Sequence, residues 1–447
     1  MSGAAIGLVG YGAYLPSYRL GSDSGVRGTR VVASFDEDAT TMAVEAAREL
    51  VRTAPGSLWW ASTSPPYLDK TNAAAVHAAL RLPSAVPAAD LVGSARSTFA
   101  GVRAALASGG LVVAADVRIG KPGSADEKSG GDGAAALLFG ESDLIAEVLG
   151  VASETLEVLD RWRDPQRTTG EQWEERFGFE QYADLVRAVA ARLLDEAGLA
   201  EADHVVVTSG NSGITKRAGA LVKGALSSSG SPIGFSGSVD PLLGLAAVLD
   251  VAGPGETVLV LSAVDGCDGL LLRTTDLLPT RRAGRTVADQ IAAGRAIPYP
   301  TYLSWRGLLD RELPRRPEPD RPAGPPSARA SAWKFGFGGT RCIECGFVHV
   351  PPLRVCRSCS AVDAMETVSL ADRTGTVATF TIDRLAFSPS PPVIDVVVDF
   401  EGGGRTTLEV ADADPDRVDV GSEVSLVFRR LFTAGAVHNY FWKARVR

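Results

Sequence analysis

Four of the five cysteines stand in "CIECGFVHVPPLRVCRSC" as Cys342, Cys345, Cys356 and Cys359. Two C-x2-C pairs with ten residues between them can place four thiolates around one zinc in a closed tetrahedral shell, which leaves no open position for catalysis. The expected cofactor is therefore a structural zinc, and His349 inside the loop is not needed as a ligand. A different chemistry is suggested by "DLVGSARSTFAGVRAAL", Asp90 to Leu106, which reads as a strand end running through a tight turn into a helix. Helix N-terminal amides stabilise an anion there, so nucleophilic enzymes often put a reactive cysteine or serine at such a turn. The stretch has no cysteine, and Ser94 and Ser97 flank Ala95. Cys267, in "SAVDGCDGL", is the fifth cysteine and falls at an expected strand-end loop.

The chain that must position these groups has 447 residues, 45% hydrophobic and 22% charged, with a formal net charge of −8. That length allows two or three globular domains with substantial cores. The acidic balance argues against a general nucleic-acid or anionic-membrane binder, because phosphate contact relies on excess Lys and Arg. The opening "MSGAAIGLVGYG" lacks the features of a signal peptide, and no apolar run approaches the roughly 18 to 20 residues of a membrane span. The expected location is cytoplasmic, where paired cysteines favour metal over disulfides.

Helices and strands alternate upstream of residue 311, and the alternation occurs twice. The first half offers a helix over 39–51, a strand over 57–63, a helix after "GSARS", and strands over 111–117 and 133–140. The second half repeats the order with a helix over 182–198, a strand over 204–209, a helix over 240–252, and strands over 257–264 and 269–275. Apolar residues at three- and four-residue spacing mark the helices, and short apolar runs mark buried strands. An internal duplication with layered helices and sheets is the economical reading. Its site belongs where the halves meet, at strand ends and helix N-termini. "RELPRRPEPDRPAGPPSARA", Arg311 to Ala330, is rich in Pro and Arg and reads as a linker.

Segments "VGYGAYLP", "DEDATTMAVEAAR", "PPYLDKTNAAAVHAAL", "GKPGSADEKSGGDGAAALLFG", "DRWRDPQRTTGEQWEERFGFEQY", "PIGFSGSVDPLLGLAAVLD" and "YPTYLSWRG" occur in collinear order. In them residues 1–310 resemble the 3-hydroxy-3-methylglutaryl-CoA synthase branch of the thiolase superfamily. The resemblance implies a duplicated five-layer α/β/α/β/α fold and a ligand that is an acyl-CoA or acyl-carrier thioester. Condensing enzymes of this family use a cysteine nucleophile, a histidine, an asparagine and a glutamate. Carried over, those places hold Ala95, Thr208, Phe235 and Thr63 in that order. A methyl group cannot attack a thioester, and a phenyl ring cannot hydrogen-bond an oxyanion.

Replacement groups are few. Ser94 or Cys267 are candidates for a displaced nucleophile, and Tyr11, Tyr67, Asp69 and Asp265 lie near expected strand ends as candidate bases. None of the four histidines falls at a family position. Arg96, Asn211, Lys216 and Arg217 are candidates for thioester phosphate or carboxylate contacts.

After the linker, a zinc ribbon is expected over 331–365 and a small barrel over 366–447. The barrel is read from "TGTVATFTIDRL", "VIDVVVDFEGG", "RTTLEVAD", "SEVSLVFRRL" and "VHNYFWKARVR", which alternate apolar and polar residues between short turns. Through "VPPLRVC", "GTVATFT" and "GSEVSLVFRRL", this region resembles the domain-of-unknown-function-35 family. That resemblance implies a rubredoxin-like ribbon plus an OB-fold that accompanies thiolase-like enzymes.

Three functions stay open on sequence. One is carbon–carbon bond chemistry on a thioester, as an aldolase, lyase or acyl transferase without a covalent cysteine. Another is a non-catalytic thioester-binding or scaffold subunit that partners an intact thiolase or ketosynthase. The third is a synthase with Ser94 or Cys267 as nucleophile. A homodimer is the assembly that the resemblance implies.

Overall fold

The computed structural model describes residues 6–21, 30–312, 316, 318, 320–321 and 324–447. Part of the linker and the first five residues of the chain lie outside them. The chain divides into two compact units. One takes residues up to Ala33 together with Asp38–Val76 and Pro83–Tyr302; the other takes Ser34–Glu37, His77–Leu82 and Leu303–Arg447.

The first unit is a duplication. Its first half contains β1 (Gly7–Tyr14), α1 (Ala39–Ala47), β2 (Leu58–Ser62), β3 (Ala88–Val92), α2 (Ser97–Ser108), β4 (Gly110–Asp116) and β5 (Gly133–Gly140). The second contains β6 (Ala146–Thr155), α3 (Glu175–Glu196), β7 (Ala202–Ser209), β8 (Gly224–Ser229), α4 (Asp240–Leu249), β9 (Thr257–Ala263) and β10 (Gly266–Thr274). Strands run β3-β2-β4-β5-β1 in the first half and β8-β7-β9-β10-β6 in the second, the same order strand for strand. In each half the first three strands pair in parallel and the last two antiparallel. The halves join at β1 and β6 through Leu8 opposite Ala146, so the hydrogen bonding continues across both.

Alternation along the strands shows the layering. In β9, Val258 and Val260 pack into a core with Leu242 and Leu245 of α4 and Phe99 and Val102 of α2. Their neighbours Leu259 and Leu261 face α3 through Val186 and Val189. In β1, Tyr11 joins the central core, while a Cβ on Gly12 would come within 2.3 Å of the Ala46 carbonyl of α1. Helix α1, half a sheet, the pair α2 and α4, the other half and α3 therefore make the five layers expected from the sequence. Helix α1 starts where it does because Asp38 and Thr41 form a reciprocal capping box.

Strands β1, β6 and β8 are absent from the sequence reading, which has β3 only as the strand end that starts at Asp90. The four occupy equivalent places in the two halves, β3 and β8 at the outer edges and β1 and β6 at the join. Strand β8, "GALSSS", is largely exposed and polar, and β1 is rich in glycine, so neither gives an apolar run.

The second unit begins with a three-stranded ribbon: β11 (Gly338–Cys342), β12 (Val348–His349) and β13 (Met365–Ser369), in the order β12-β11-β13. A five-stranded sheet follows, made of β14 (Gly375–Asp383), β15 (Val393–Phe400), β16 (Arg405–Glu409), β17 (Glu423–Ala434) and β18 (Val437–Val446). Its order is β16-β15-β14-β17-β18, and Val410 bridges to Ala444 to draw the ends together.

Ser34–Glu37 is part of this unit through backbone and charge. The Arg430 N–H donates to the Asp36 carbonyl, and the Arg430 guanidinium to the Phe35 carbonyl. Lys443 Nζ lies 2.8 Å from Asp36 Oδ2, and Arg429 Nη2 lies 3.0 Å from Glu37 Oε1 and 3.2 Å from Asp412 Oδ2. Burial by itself would raise the Asp36 carboxyl, but Lys443 and Arg429 hold it below its usual value. Removing one partner from such a buried network leaves a desolvated charge behind, which costs about 3–5 kcal/mol. Asp36→Asn is therefore expected to destabilise the chain by about that amount in urea unfolding. Arg447→Ala, which breaks the exposed pair with Glu423, should change stability by no more than about 1 kcal/mol.

Candidate active site and metal centre

Strand β4 ends on Asp116, whose side chain is fully buried. Its Oδ1 accepts from Ser62 Oγ, Thr63 N, Ser64 N and Ser64 Oγ, and its Oδ2 accepts from Ser238 N and Ser238 Oγ. The loop after β2 and the turn before α4 are thus fastened to one carboxylate. Gly237 makes the approach possible: its φ is +65°, and a Cβ there would fall 2.3 Å from Asp116 Oδ2. The Ser238 carbonyl accepts from Thr98 Oγ1 in the first turn of α2. The N-termini of the two central helices therefore meet at the ends of β2 and β4, the place expected from the duplication.

The turn before α2 carries Ala95, half-buried. Beside it Ser94 Oγ donates to Asp265 Oδ2 at 3.0 Å and accepts from the Arg96 N–H. Asp265, between β9 and β10, has φ +47°, a conformation costly for a residue other than glycine. Its N–H donates to Tyr182 Oη, and Tyr182 donates to Asp160 Oδ1 at 3.1 Å. Burial and Asp160 push the Tyr182 phenol upward, so it serves as a neutral brace. The fold brings together Ser94 and Asp265, which are 171 positions apart. It supplies the serine with a carboxylate partner that no local pattern indicates.

Other sequence candidates are engaged in holding the fold. Arg96 spends Nε on Asp268 Oδ2 at 2.7 Å, Nη1 on the Asp265 carbonyl and Nη2 on the Glu154 carbonyl. Asn211 caps the short helix Ser212–Lys216 through Gly213 N and donates to the Glu175 carbonyl. Lys216 bonds Ser212 Oγ, and Arg217 lies over the Phe179 ring. Thr208 Oγ1 donates to the Leu261 carbonyl within the sheet. Tyr11 donates to Asp250 in the core. Cys267 is fully buried, and burial pushes its thiol well above the usual range, which removes thiolate character at neutral pH.

Thr63 and Phe235 do come together, around arginines not singled out in the sequence. Arg118 donates Nη1 to Thr63 Oγ1 at 2.9 Å, and its guanidinium stands 5.1 Å from the Phe235 ring centroid. Arg161 stands 5.0 Å from the same centroid and pairs with Asp126. Arg163 donates to the Thr63 and Arg167 carbonyls. Burial, together with the charges of Arg161 and Arg163 and against that of Asp116, lowers the Arg118 pKa. A charged residue just past an apolar strand, as in "LVVAADVR", was the available signal for Asp116 and Arg118.

Asp240 opens α4 and is buried. Its Oδ1 accepts from Ser236 N and Ser236 Oγ, while Oδ2 has no hydrogen-bond partner. Burial raises its carboxyl from 3.8 to about 7. The native state therefore holds a proton that the unfolded chain releases, and this contribution to stability is lost as pH rises from about 4 to 7.

In the second unit the four ribbon sulfurs lie within 4.8 Å of one another, with Cys342 to Cys359 at 3.6 Å and Cys345 to Cys356 at 3.5 Å. A tetrahedron with Zn–S bonds of ~2.3 Å has edges of about 3.8 Å, so the quartet fits zinc. The crowded thiols titrate as a set, with Cys356 held below the usual thiol value by the Cys359 and Ser358 N–H groups and His349, and Cys359 raised by its sulfur neighbours. His349 is buried next to the quartet and outside it.

Three outcomes follow from the sulfur quartet and the buried Asp240. Purified protein should carry one equivalent of zinc by elemental analysis. Cys356→Ser should lose most of the metal and several kcal/mol of stability, because metal affinity and folding are linked. Asp240→Asn should match the parent in melting temperature near pH 4.5 and exceed it at pH 8, and a gap that stays constant with pH would contradict the assignment.

Profiles of two protein families match the second unit: the rubredoxin-like zinc ribbon domain of ChsH2 over residues 339–366 and the C-terminal OB-fold domain of ChsH2 over 368–429. Among solved structures, an HMG-CoA synthase complexed with CoA matches 69% of this chain and 91% of its own at a TM-score of 0.57 and 14% identity. The 3-oxoacyl-(acyl carrier protein) synthase III from Pseudomonas aeruginosa matches 61% of this chain and 98% of its own at 0.52 and 18%. These likenesses establish the fold. No helix among the described residues is long and apolar enough to cross a membrane. The hydroxymethylglutaryl-CoA synthase of Methanothermobacter thermautotrophicus is 31% identical over 342 residues, 68% of this chain and 99% of the relative. That of Archaeoglobus fulgidus is 32% identical over 339 residues, 67% of this chain and 98% of the relative. With the duplicated sheet order and the meeting of α2 and α4, this places the chain in the hydroxymethylglutaryl-CoA synthase family.

Proposed function

We propose that this protein binds an acyl-CoA or acyl-carrier thioester and makes or breaks a carbon–carbon bond in it without an acyl-cysteine intermediate. The observation that carries the reading is the Ser94–Asp265 hydrogen bond beside Ala95. The turn that the family resemblance assigns to the nucleophile holds a methyl group with a hydroxyl–carboxylate pair next to it. Such a pair moves protons.

In the cleavage direction a β-hydroxyacyl thioester gives up its hydroxyl proton to the Asp265 carboxylate, directly or through Ser94. The Cα–Cβ bond breaks, its electron pair becomes the thioester enolate, and the hydroxyl carbon becomes an aldehyde or ketone. The same proton then returns to Cα, giving the shorter acyl thioester. The reverse sequence is the aldol addition. The ribbon supplies no step in this scheme, since four sulfurs close the zinc shell. Its part is to brace the second unit. A homodimer, as in the sequence expectation, is part of this proposal, as is a cytoplasmic location.

A second reading has one specific observation behind it. Asp265 is placed to take a proton from Ser94, which would make the serine itself a nucleophile. A third, a thioester-binding subunit for an intact condensing partner, draws on the engagement of Arg96, Asn211 and Thr208 in structural bonds.

Turnover of a panel of β-hydroxyacyl-CoAs, followed by release of the shorter acyl-CoA, tests the proposal. Ser94→Ala and Asp265→Asn should each lower kcat by about 10²–10⁴, while Cys267→Ala keeps it. Intact mass after incubation should be unchanged. An acyl adduct lost in Ser94→Ala would replace this reading with the second, and thioester binding with no turnover would replace it with the third.

A further inference from the structure

Arg118, Arg161 and Arg163 converge on Thr63 and Phe235 from two separate segments, the loop after β4 and the strand pair Arg161–Trp162 and Glu171–Gln172. Phe235 is shared by two guanidiniums at 5.0 and 5.1 Å, so its ring aligns them. Among the carboxylates close by, Asp240 keeps Oδ2 without a hydrogen-bond partner and attracts Arg118 through space, and the others are already bonded. Asp126 pairs with Arg161, Glu171 pairs with Lys121, and both Asp116 oxygens are filled by serine and threonine donors. Arg118 and Arg163 bond neutral oxygens, the Thr63 hydroxyl and the Thr63 and Arg167 carbonyls. Burial is the main reason that the Arg118 pKa is lowered, and repulsion from Arg161 and Arg163 adds to it against the attraction of Asp116 and Asp126. An anion would relieve that repulsion.

We infer that these arginines receive a carboxylate at the acyl end of the bound thioester, so that the preferred substrate is a half-thioester of a dicarboxylic acid. The inference rests on the proposed thioester function. A planar carboxylate can accept two parallel N–H bonds from a guanidinium, and that match is the reason arginine recognises it. The location favours the acyl end over the CoA phosphates. Thr63 and Phe235 stand where the family resemblance puts the glutamate and asparagine that act on the reacting carbons. Arg118 touches both residues. Thr63 and Phe235 thus become supports for a guanidinium, which can hold an anion but cannot act as a base.

Calorimetric titration of the full chain with succinyl-CoA, butyryl-CoA and free CoA at fixed low salt separates the sources. The two thioesters have the same chain length and differ in the terminal carboxylate. Succinyl-CoA should bind about 10- to 100-fold more tightly, the worth of a hydrogen bond to a charged group. R118Q should remove that advantage and leave butyryl-CoA and CoA unchanged. Arg163 is exposed, so R163Q provides a second variant that keeps the fold, and it should reduce the advantage as well. Equal binding of the two thioesters to the parent overturns the inference while the thioester function stands. Equal weakening of all three ligands in R118Q and R163Q overturns it too, by assigning the arginines to the CoA phosphates. Failure of the parent to bind any of the three removes the thioester function and this inference together.

Discussion

A buried carboxylate with six donors around it fixes the geometry at the centre of this molecule. An ion in a fully buried place is tolerated only when its desolvation is offset by hydrogen bonds. Asp116 meets that condition only if the loop after β2 and the turn before α4 are both in position. The two loops come from different halves of the duplication, so the carboxylate holds the halves in register at the ends of their parallel strands. The Thr98–Ser238 bond extends the constraint to α2. Thr63, Phe235 and Ser94 are placed as a consequence, because each lies within a few residues of an atom held by this network.

The same physics recurs in the second unit. Arg429 and Lys443, both buried, meet Asp36, Glu37, Asp412 and Glu409. The first two of these acids come from a segment hundreds of residues upstream. The chain leaves the first unit at Ser34 and returns at Asp38, and again contributes His77–Leu82, before Leu303 begins the long remainder. A barrel whose buried cations are balanced by a distant segment depends on that segment for its stability. The zinc ribbon adds a local constraint of the opposite kind, since its four ligands lie within eighteen residues.

The four places that the family resemblance singles out share a pattern in their surroundings. Ala95 offers only a methyl group, and the neighbouring Ser94 hydroxyl has a carboxylate partner. Thr63 and Phe235 are both touched by the Arg118 guanidinium. A hydroxyl–carboxylate pair therefore lies beside Ala95, and a positive charge lies beside Thr63 and Phe235. Cys267 shows that a cysteine alone does not restore the chemistry. In a buried site next to Asp268 its thiol stays protonated.

The sequence by itself determined whatever depends on neighbours along the chain. Alternating and three-to-four spacing made the buried strands and central helices legible, paired C-x2-C spacing made the metal ligands legible, and collinear segments showed the duplicated family architecture. The strands β1, β6 and β8 escaped because these edge and joining strands carry glycine or polar residues in place of apolar runs. The tertiary structure alone decided which distant groups touch: Ser94 with Asp265, Asp116 with Ser238, Arg118 and Arg161 with Phe235, and Asp36 with Lys443. Periodicity reports the local backbone state and the face that a residue presents. The partner across that face is fixed by how loops from separate segments close over buried charge, and no spacing within one segment encodes it.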